Sequence, residues 1–185
     1  MKRLLFALAF WLLPPSAYSL SEDVPFVVTP DNVTLEMLKL ANVGANDYLV
    51  DLGSGDGRIV IAAVAKYHAR GALGVDINPV AIAQARENAS KAGVADRVQF
   101  HERDLFATDM RDATVVTIYL LPSIMGKVER KLRAELGAGA RIVVHDFPFP
   151  DWRPEKTILV ESLDKLGVTG FALSQLYLYR VPGPR

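Results

Sequence analysis

The chain has 185 residues, half of them apolar and 23% charged, which is enough for one packed domain and excludes a disordered, coiled-coil or collagen-like polypeptide. Its 21 basic and 21 acidic side chains balance, which argues against a partner held by bulk attraction to nucleic acid. There are no cysteines, hence no disulfide, no thiolate nucleophile and no cysteine-ligated metal, and three scattered histidines, His68, His101 and His145, do not supply a metal cluster; no metal is expected.

The first residues read as a targeting segment. Met1-Lys2-Arg3 is followed by ten apolar residues, Leu4 to Leu13, then by Pro14-Pro15 and the small residues of Ser16-Ala17-Tyr18-Ser19. Ten helical residues reach about 15 Å, half of a bilayer core of roughly 30 Å, so residues 1–19 are read as a signal peptide or a short uncut anchor. The expected location is exported (periplasmic) or membrane-tethered.

The body, residues 24–182, alternates strand and helix. Asp31 to Asn42 has an apolar face of Val33, Met37, Leu38, Leu40 and Ala41, with Thr29 or Asp31 as cap. Asp47–Leu52 is a short buried strand, Arg58–Tyr67 an alanine-rich helix and Ala72–Asp76 a second strand. Asn78-Pro79 starts a helix that Gly93 stops. Strands follow at Arg97–His101, Ala113–Leu120 and Ala140–Val144, with a helix from Pro122 to Leu136. Such alternation predicts an α/β fold: a doubly wound, mostly parallel sheet with helices on both faces. Thr157–Leu163 and Phe171–Arg180, joined by a short glycine-containing link, predict a C-terminal antiparallel hairpin and an antiparallel edge strand.

The stretch Val50-Asp51-Leu52-Gly53-Ser54-Gly55-Asp56-Gly57-Arg58 follows a strand and opens a helix. Its G-x-G-x-G spacing fits neither the dinucleotide G-x-G-x-x-G nor a P-loop, which needs lysine after its glycines. Asp51 and Asp56 would repel a pyrophosphate and attract a cation. S-adenosylmethionine, with a protonated amine and a sulfonium, suits such a loop: glycines allow close approach, and Asp51 stands where it could meet the amino group. Asp76, 21 residues after Gly55, ends the next strand, where a carboxylate can accept from both ribose hydroxyls. Asp104 follows the third strand, near adenine. The expected cofactor residues are Asp51, Gly53, Ser54, Gly55, Asp76, Ile77, Asp104 and Leu105. Singly, a glycine turn or Asp104 could be a tight connection or a helix cap; jointly they mark the carboxyl ends of successive strands.

On these residues the sequence resembles class I S-adenosylmethionine-dependent methyltransferases with a Rossmann-like fold. It is more closely similar to the small protein-lysine methyltransferases that include the mitochondrial enzymes acting on ATP synthase subunit c and on the adenine nucleotide translocase. The likeness covers Val24 to Pro154. It rests on Val24-Pro25-Phe26-Val27-Val28-Thr29-Pro30, on the loop Val50 to Arg58 with Ile59-Val60, and on Asn78-Pro79, Arg103-Asp104-Leu105 and Leu121-Pro122-Ser123. Lys131-Leu132-Arg133, Gly139-Ala140-Arg141 and Phe147-Pro148-Phe149-Pro150-Asp151-Trp152 complete it. It implies a protein substrate and a lysine acceptor, and the leader points to a membrane-associated substrate, at or beyond the membrane.

Methyl transfer from a sulfonium needs nucleophile, carbon and sulfur in line, so positioning carries much of the catalysis and no dedicated catalytic residue is required. A lysine must be neutral, and lowering its pKa from about 10.4 to about 7.4 costs roughly 4 kcal/mol, which an apolar pocket can supply by desolvation. Thr29, Tyr119, Pro122 and Trp152 are the candidate pocket, with Phe147; packing is the alternative role for Phe147 and Trp152. Tyr119-Leu120-Leu121-Pro122 replaces the Asn/Asp-Pro-Pro-Tyr motif of many adenine methyltransferases, which together with the charge balance argues against nucleic acid. His145 could serve as base to an oxygen nucleophile or be structural. The alternatives to lysine are a small-molecule acceptor, such as a quinone precursor or lipid headgroup, and a module that binds the cofactor without turnover. The sequence does not reveal the oligomeric state.

Overall fold

A computed structural model describes residues 28–183. The expected leader, residues 1–19, lies outside the described residues, as do residues 24–27 of the first family segment. The strands are β1 (Tyr48–Leu52), β2 (Gly71–Asp76), β3 (Val98–Glu102), β4 (Val115–Ile118), β5 (Arg141–His145), β6 (Lys156–Glu161) and β7 (Leu173–Arg180). The helices are α1 (Asp31–Leu40), α2 (Arg58–Ala65), α3 (Pro79–Lys91), α4 (Pro122–Glu135) and α5 (Leu163–Thr169).

Local chemistry explains most boundaries. Asn78 accepts the amide N–H groups of Val80 and Ala81 on its side chain, and Pro79 occupies the first turn of α3. Gly93, in the left-handed region at φ 68°, follows that helix. The expected cap of α1 is corrected: Pro30 holds the cap position and no side chain closes it. Thr29 is instead buried, its carbonyl accepting from Arg58 Nη1 at 2.9 Å.

The seven strands form one sheet in the order β3-β2-β1-β4-β5-β7-β6. β1 to β5 are mutually parallel, and β7 is antiparallel to both β5 and β6. The predicted hairpin is therefore present, with two differences. The antiparallel strand is β7, which lies inside the sheet, while the edge strand β6 runs with β1 to β5. The link is the helix α5, closed by Gly170 at φ 76°; a short segment containing Gly167 gave it no helical signature in the sequence.

Residues alternate between the two faces of the sheet. Leu49, Val115, Val143, Leu176 and Leu178 pack with Val33, Met37, Ile59, Val60 and Ile82 of α1 to α3. Val50, Leu52, Ile118, Ile142, Val144 and Tyr179 pack with Met125, Val128 and Leu132 of α4. From β1 the chain moves outward to β2 and β3 and then crosses back to β4 on the other side of β1, so the strand order reverses at β1 and a crevice opens at the carboxyl ends there.

Candidate active site

The loop from Gly53 to Gly57 leaves β1 at this crevice and is held rigidly. The amides of Gly53 and Ser54 both donate to Val75 O, at 2.9 and 3.0 Å. Gly53, Gly55 and Gly57 all have positive φ, the region in which an L side chain is strained. A Cβ on Gly57 would lie 2.6 Å from Phe100 Cζ and 2.9 Å from Ala85 Cβ, and one on Gly53 would lie 2.8 Å from Leu120 Cδ2. These glycines serve the loop's turn and its close packing on α3, β3 and the end of β4.

Asp76 closes the far side of the loop. Its Oδ2 accepts Gly55 N–H at 2.9 Å and its Oδ1 accepts Asn78 N–H at 2.9 Å. Each carboxylate oxygen can accept a second hydrogen bond, so the group is oriented and retains acceptor capacity for a vicinal diol. Asp51 is buried, and its Oδ1 accepts the Thr117 hydroxyl at 2.7 Å. Burial pushes the Asp51 carboxyl up to about 7; the Thr117 bond opposes this, and the nearby Asp76 and Asp56 charges add to it.

The other expected cofactor residues fall into two groups. Ile77 is 74% exposed beside Asp76, an apolar surface open at the crevice. Asp104 caps a short 3-10 turn over Leu105–Ala107, its Oδ1 accepting Phe106 N–H at 2.8 Å, and is exposed; Leu105 is half-buried. Ser54 turns inward: its Oγ is buried with no hydrogen-bond partner among the described residues and lies 2.7 Å from where a Gly74 Cβ would stand. Its side chain is therefore not presented to the crevice.

Tyr119, just beyond β4, has its ring 4.0 Å from the His145 ring and stacks at 6.3 Å on Phe147. Burial, the Asp146 charge and a hydrogen bond to Asp146 push the Tyr119 hydroxyl up to about 12. His145 is wholly buried at the end of β5, hydrogen-bonded through Nε2 to Ser174 Oγ at 2.8 Å. Burial holds its ring below the usual imidazole range, against the Asp146 charge. Asp146 accepts Gln175 N–H at 3.0 Å and Lys165 Nζ at 2.5 Å. Pro122 opens α4 at the same end and is exposed. Thr29 reaches the glycine loop through Arg58, which also pairs with Asp56 and Asp31. Trp152 stands in a different group, packed with Phe149 at 5.9 Å and Tyr179 at 5.7 Å beneath the Arg133 guanidinium. The contacts of Trp152 are those of a packing residue.

A family model described as the ANTKMT methyltransferase domain matches residues 51–156, from Asp51 through β5 to the first residue of β6. The chain belongs to the ANTKMT methyltransferase domain family. It is 41% identical over 139 residues to a protein-lysine N-methyltransferase of Saccharolobus islandicus, covering 75% of this chain and 86% of that protein. It is 39% identical to the adenine nucleotide translocase lysine N-methyltransferase of Mus musculus, spanning 62% of that enzyme's length. A crystal structure of an RNA methyltransferase from Salinibacter ruber in complex with S-adenosyl-L-homocysteine superposes with a TM-score of 0.75 at 42% identity, covering 86% of this chain and 96% of that one.

As a member of this family the protein is an S-adenosylmethionine-dependent methyltransferase. The donor set fits that cofactor: carboxylates at Asp51 and Asp76 for a cationic, hydroxyl-rich ligand, and an apolar exposed residue at Ile77. Among the described residues no cluster of three or more His, Asp or Glu could hold a metal. Sequence reasoning missed three contributors. Arg58, read as a loop and helix-start residue, also ties Thr29 to the loop, a contact across 29 positions that has no local signature. Thr117 supports Asp51 from the neighbouring strand, a pairing visible only in the register Asp51↔Thr117. The buried Lys165–Asp146 pair joins residues 19 apart and has no local signature.

Proposed function

We propose that this enzyme transfers the methyl group of S-adenosylmethionine to the side-chain amine of a lysine in a membrane-associated protein. The observation that carries the acceptor is the 41% identity to a protein-lysine N-methyltransferase over 86% of that relative's length. The cofactor supplies an electrophilic methyl on a sulfonium. In this reading Asp76 accepts from the ribose hydroxyls, Asp51 faces the amino group, and Ile77, Asp104 and Leu105 border the adenine. Gly53 and Gly55 let the backbone come close, while Ser54 contributes through its place in the loop.

Tyr119, Pro122 and Thr29 border the acceptor. With its hydroxyl pushed up to about 12, Tyr119 stays neutral at physiological pH and acts as an aromatic wall. Lys165, bonded to Asp146 and to Leu173 O, offsets the carboxylate that acts on Tyr119. Desolvation favours the neutral form of an incoming lysine, which is the nucleophilic form. The apolar run Leu4–Leu13 supports a location at or beyond the membrane, exported or tethered.

The 42% identity to a protein described as an RNA methyltransferase favours a second reading, an RNA acceptor. Incubating the enzyme with labelled S-adenosylmethionine, membrane proteins and total RNA separates the two. Label in lysine supports the proposal; label confined to RNA, or to a small molecule, refutes it. Fractionation of cells, with N-terminal sequencing of the recovered protein, tests the location and the fate of residues 1–19.

A further inference from the structure

The described residues leave one group of large apolar side chains in water away from the crevice. Leu159, Leu163, Leu166, Phe171 and Leu173 are between 47% and 73% exposed, on β6, on α5, in the link that follows it and at the start of β7. In the β6–β7 register Leu159 pairs with Gln175 and Glu161 with Leu173, so Leu159 and Leu173 are diagonal neighbours on one face. Leu163 and Leu166 lie one turn apart on α5, while Lys165 between them is buried against Asp146 and Leu173 O. A grouped apolar surface of this kind marks an interaction site, whereas scattered exposed leucines do not.

Two relationships identify what meets it. Because β6 runs with β1 to β5, its end at Glu161 and the following α5 lie at the carboxyl end of the sheet, the end that carries Tyr119 and Pro122. Asn32 Nδ2 donates to Glu161 O at 2.7 Å, which fixes the start of α1 on that same corner. The chain before it, residues 1–27, contains the ten apolar residues Leu4–Leu13 and only four charged ones, Lys2, Arg3, Glu22 and Asp23. The segment expected to meet a membrane thus joins the domain beside the apolar patch.

We propose that Leu159, Leu163, Leu166, Phe171 and Leu173 form a membrane-docking surface that enters the interfacial region of a lipid bilayer and turns the carboxyl end of the sheet towards it. The proposal rests on the membrane placement above but not on the acceptor. The patch supplies orientation that a single apolar segment at residues 4–13 could not, since a lone tether leaves the domain free to rotate.

The absence of cysteine allows a direct test on the full chain. Leu166→Cys and, at the opposite end of the sheet, Asn46→Cys are each labelled with an environment-sensitive dye and bound to phosphatidylcholine vesicles carrying doxyl-labelled lipid. The expected result is strong quenching at 166, little at 46, and at least a fivefold loss of the quenching at 166 when Leu163→Asp is added. A label at 166 that stays in water on vesicle-bound protein overturns the patch while leaving the lysine reading intact. Failure to bind vesicles overturns it too. So does burial of the label without lipid, which would mean that residues 1–27 or a second copy covers the patch. Absence of lysine methylation by the parent enzyme, with docking observed, would count against the acceptor alone.

Discussion

Gly55 donates its amide N–H to Asp76 Oδ2 at 2.9 Å, so the middle of the glycine loop is fastened to the end of β2 by the same carboxylate proposed to receive the ribose. Asp76 therefore shapes the crevice as well as lining it. Asp76→Ala is expected to lower cofactor affinity at least tenfold, about 1.4 kcal/mol per decade, and to cost about 1–2 kcal/mol of stability through the lost amide bonds. Asp76→Asn retains one acceptor oxygen and should fold more like the parent. Calorimetric titration of folded variants checks this; unchanged affinity in Asp76→Ala would remove the ribose role.

Asp51 links cofactor binding to pH. Its carboxyl is pushed up to about 7 by burial, above its ordinary value of 3.8, so the folded protein holds a proton that the unfolded chain releases. Stability from this group is complete below about pH 4 and is lost as pH rises towards 7, at most about 4 kcal/mol. A cationic amino group beside it favours the charged form, so affinity for S-adenosylmethionine should rise between pH 5.5 and 8. Asp51→Asn is expected to flatten that rise, bind more weakly at pH 8, and unfold at a higher denaturant concentration there when free of cofactor. Parallel pH slopes in parent and variant would exclude the linkage.

Gly57 and Gly93 offer a matched comparison of crowding. Both have positive φ, 80° and 68°, but a Cβ at Gly57 would meet Phe100 and Ala85 below 3 Å, whereas among the described residues nothing lies within 4 Å of one at Gly93. Gly93→Ala should cost about 1–2 kcal/mol from backbone strain alone. Gly57→Ala should cost about 2–5 kcal/mol, the same strain plus overpacking. Urea unfolding of the two variants measures the difference, and equal losses would mean that Phe100 yields freely.

Tyr119 tests whether the acceptor wall works by shape or by proton transfer. With the hydroxyl pushed up to about 12, it supplies no base between pH 7 and 9. Tyr119→Phe should keep kcat within about threefold and leave its pH profile unchanged, while Tyr119→Ala should lower kcat/KM at least tenfold with cofactor affinity retained. A lost alkaline or acidic limb in Tyr119→Phe would give the hydroxyl a direct part in the chemistry.

What the sequence reveals here follows the range of the interactions involved. The loop from Gly53 to Gly57, the cap at Asn78 and the alternation that gives β1 to β5 are all set by neighbours in the chain, and all were legible. Asp76 could be placed because a strand of known length delivers it to the sheet end. The position of Trp152 could not, since its partners Tyr179 and Arg133 come from β7 and α4, remote in the chain. Nor could the insertion of β7 between β5 and β6, which depends on which of two similar apolar strands covers the β5 edge. The helical link α5 was missed because seven residues containing glycine carry too weak a period.

That insertion has a consequence for how the chain is made. Among the described residues β6 pairs only with β7, and β7 also covers the edge of β5. Synthesis therefore leaves the edges of β5 and β6 without the strand that pairs them until residues 173–180 have emerged from the ribosome. A translocation machine that needs an unfolded polypeptide would be given that interval by the topology itself.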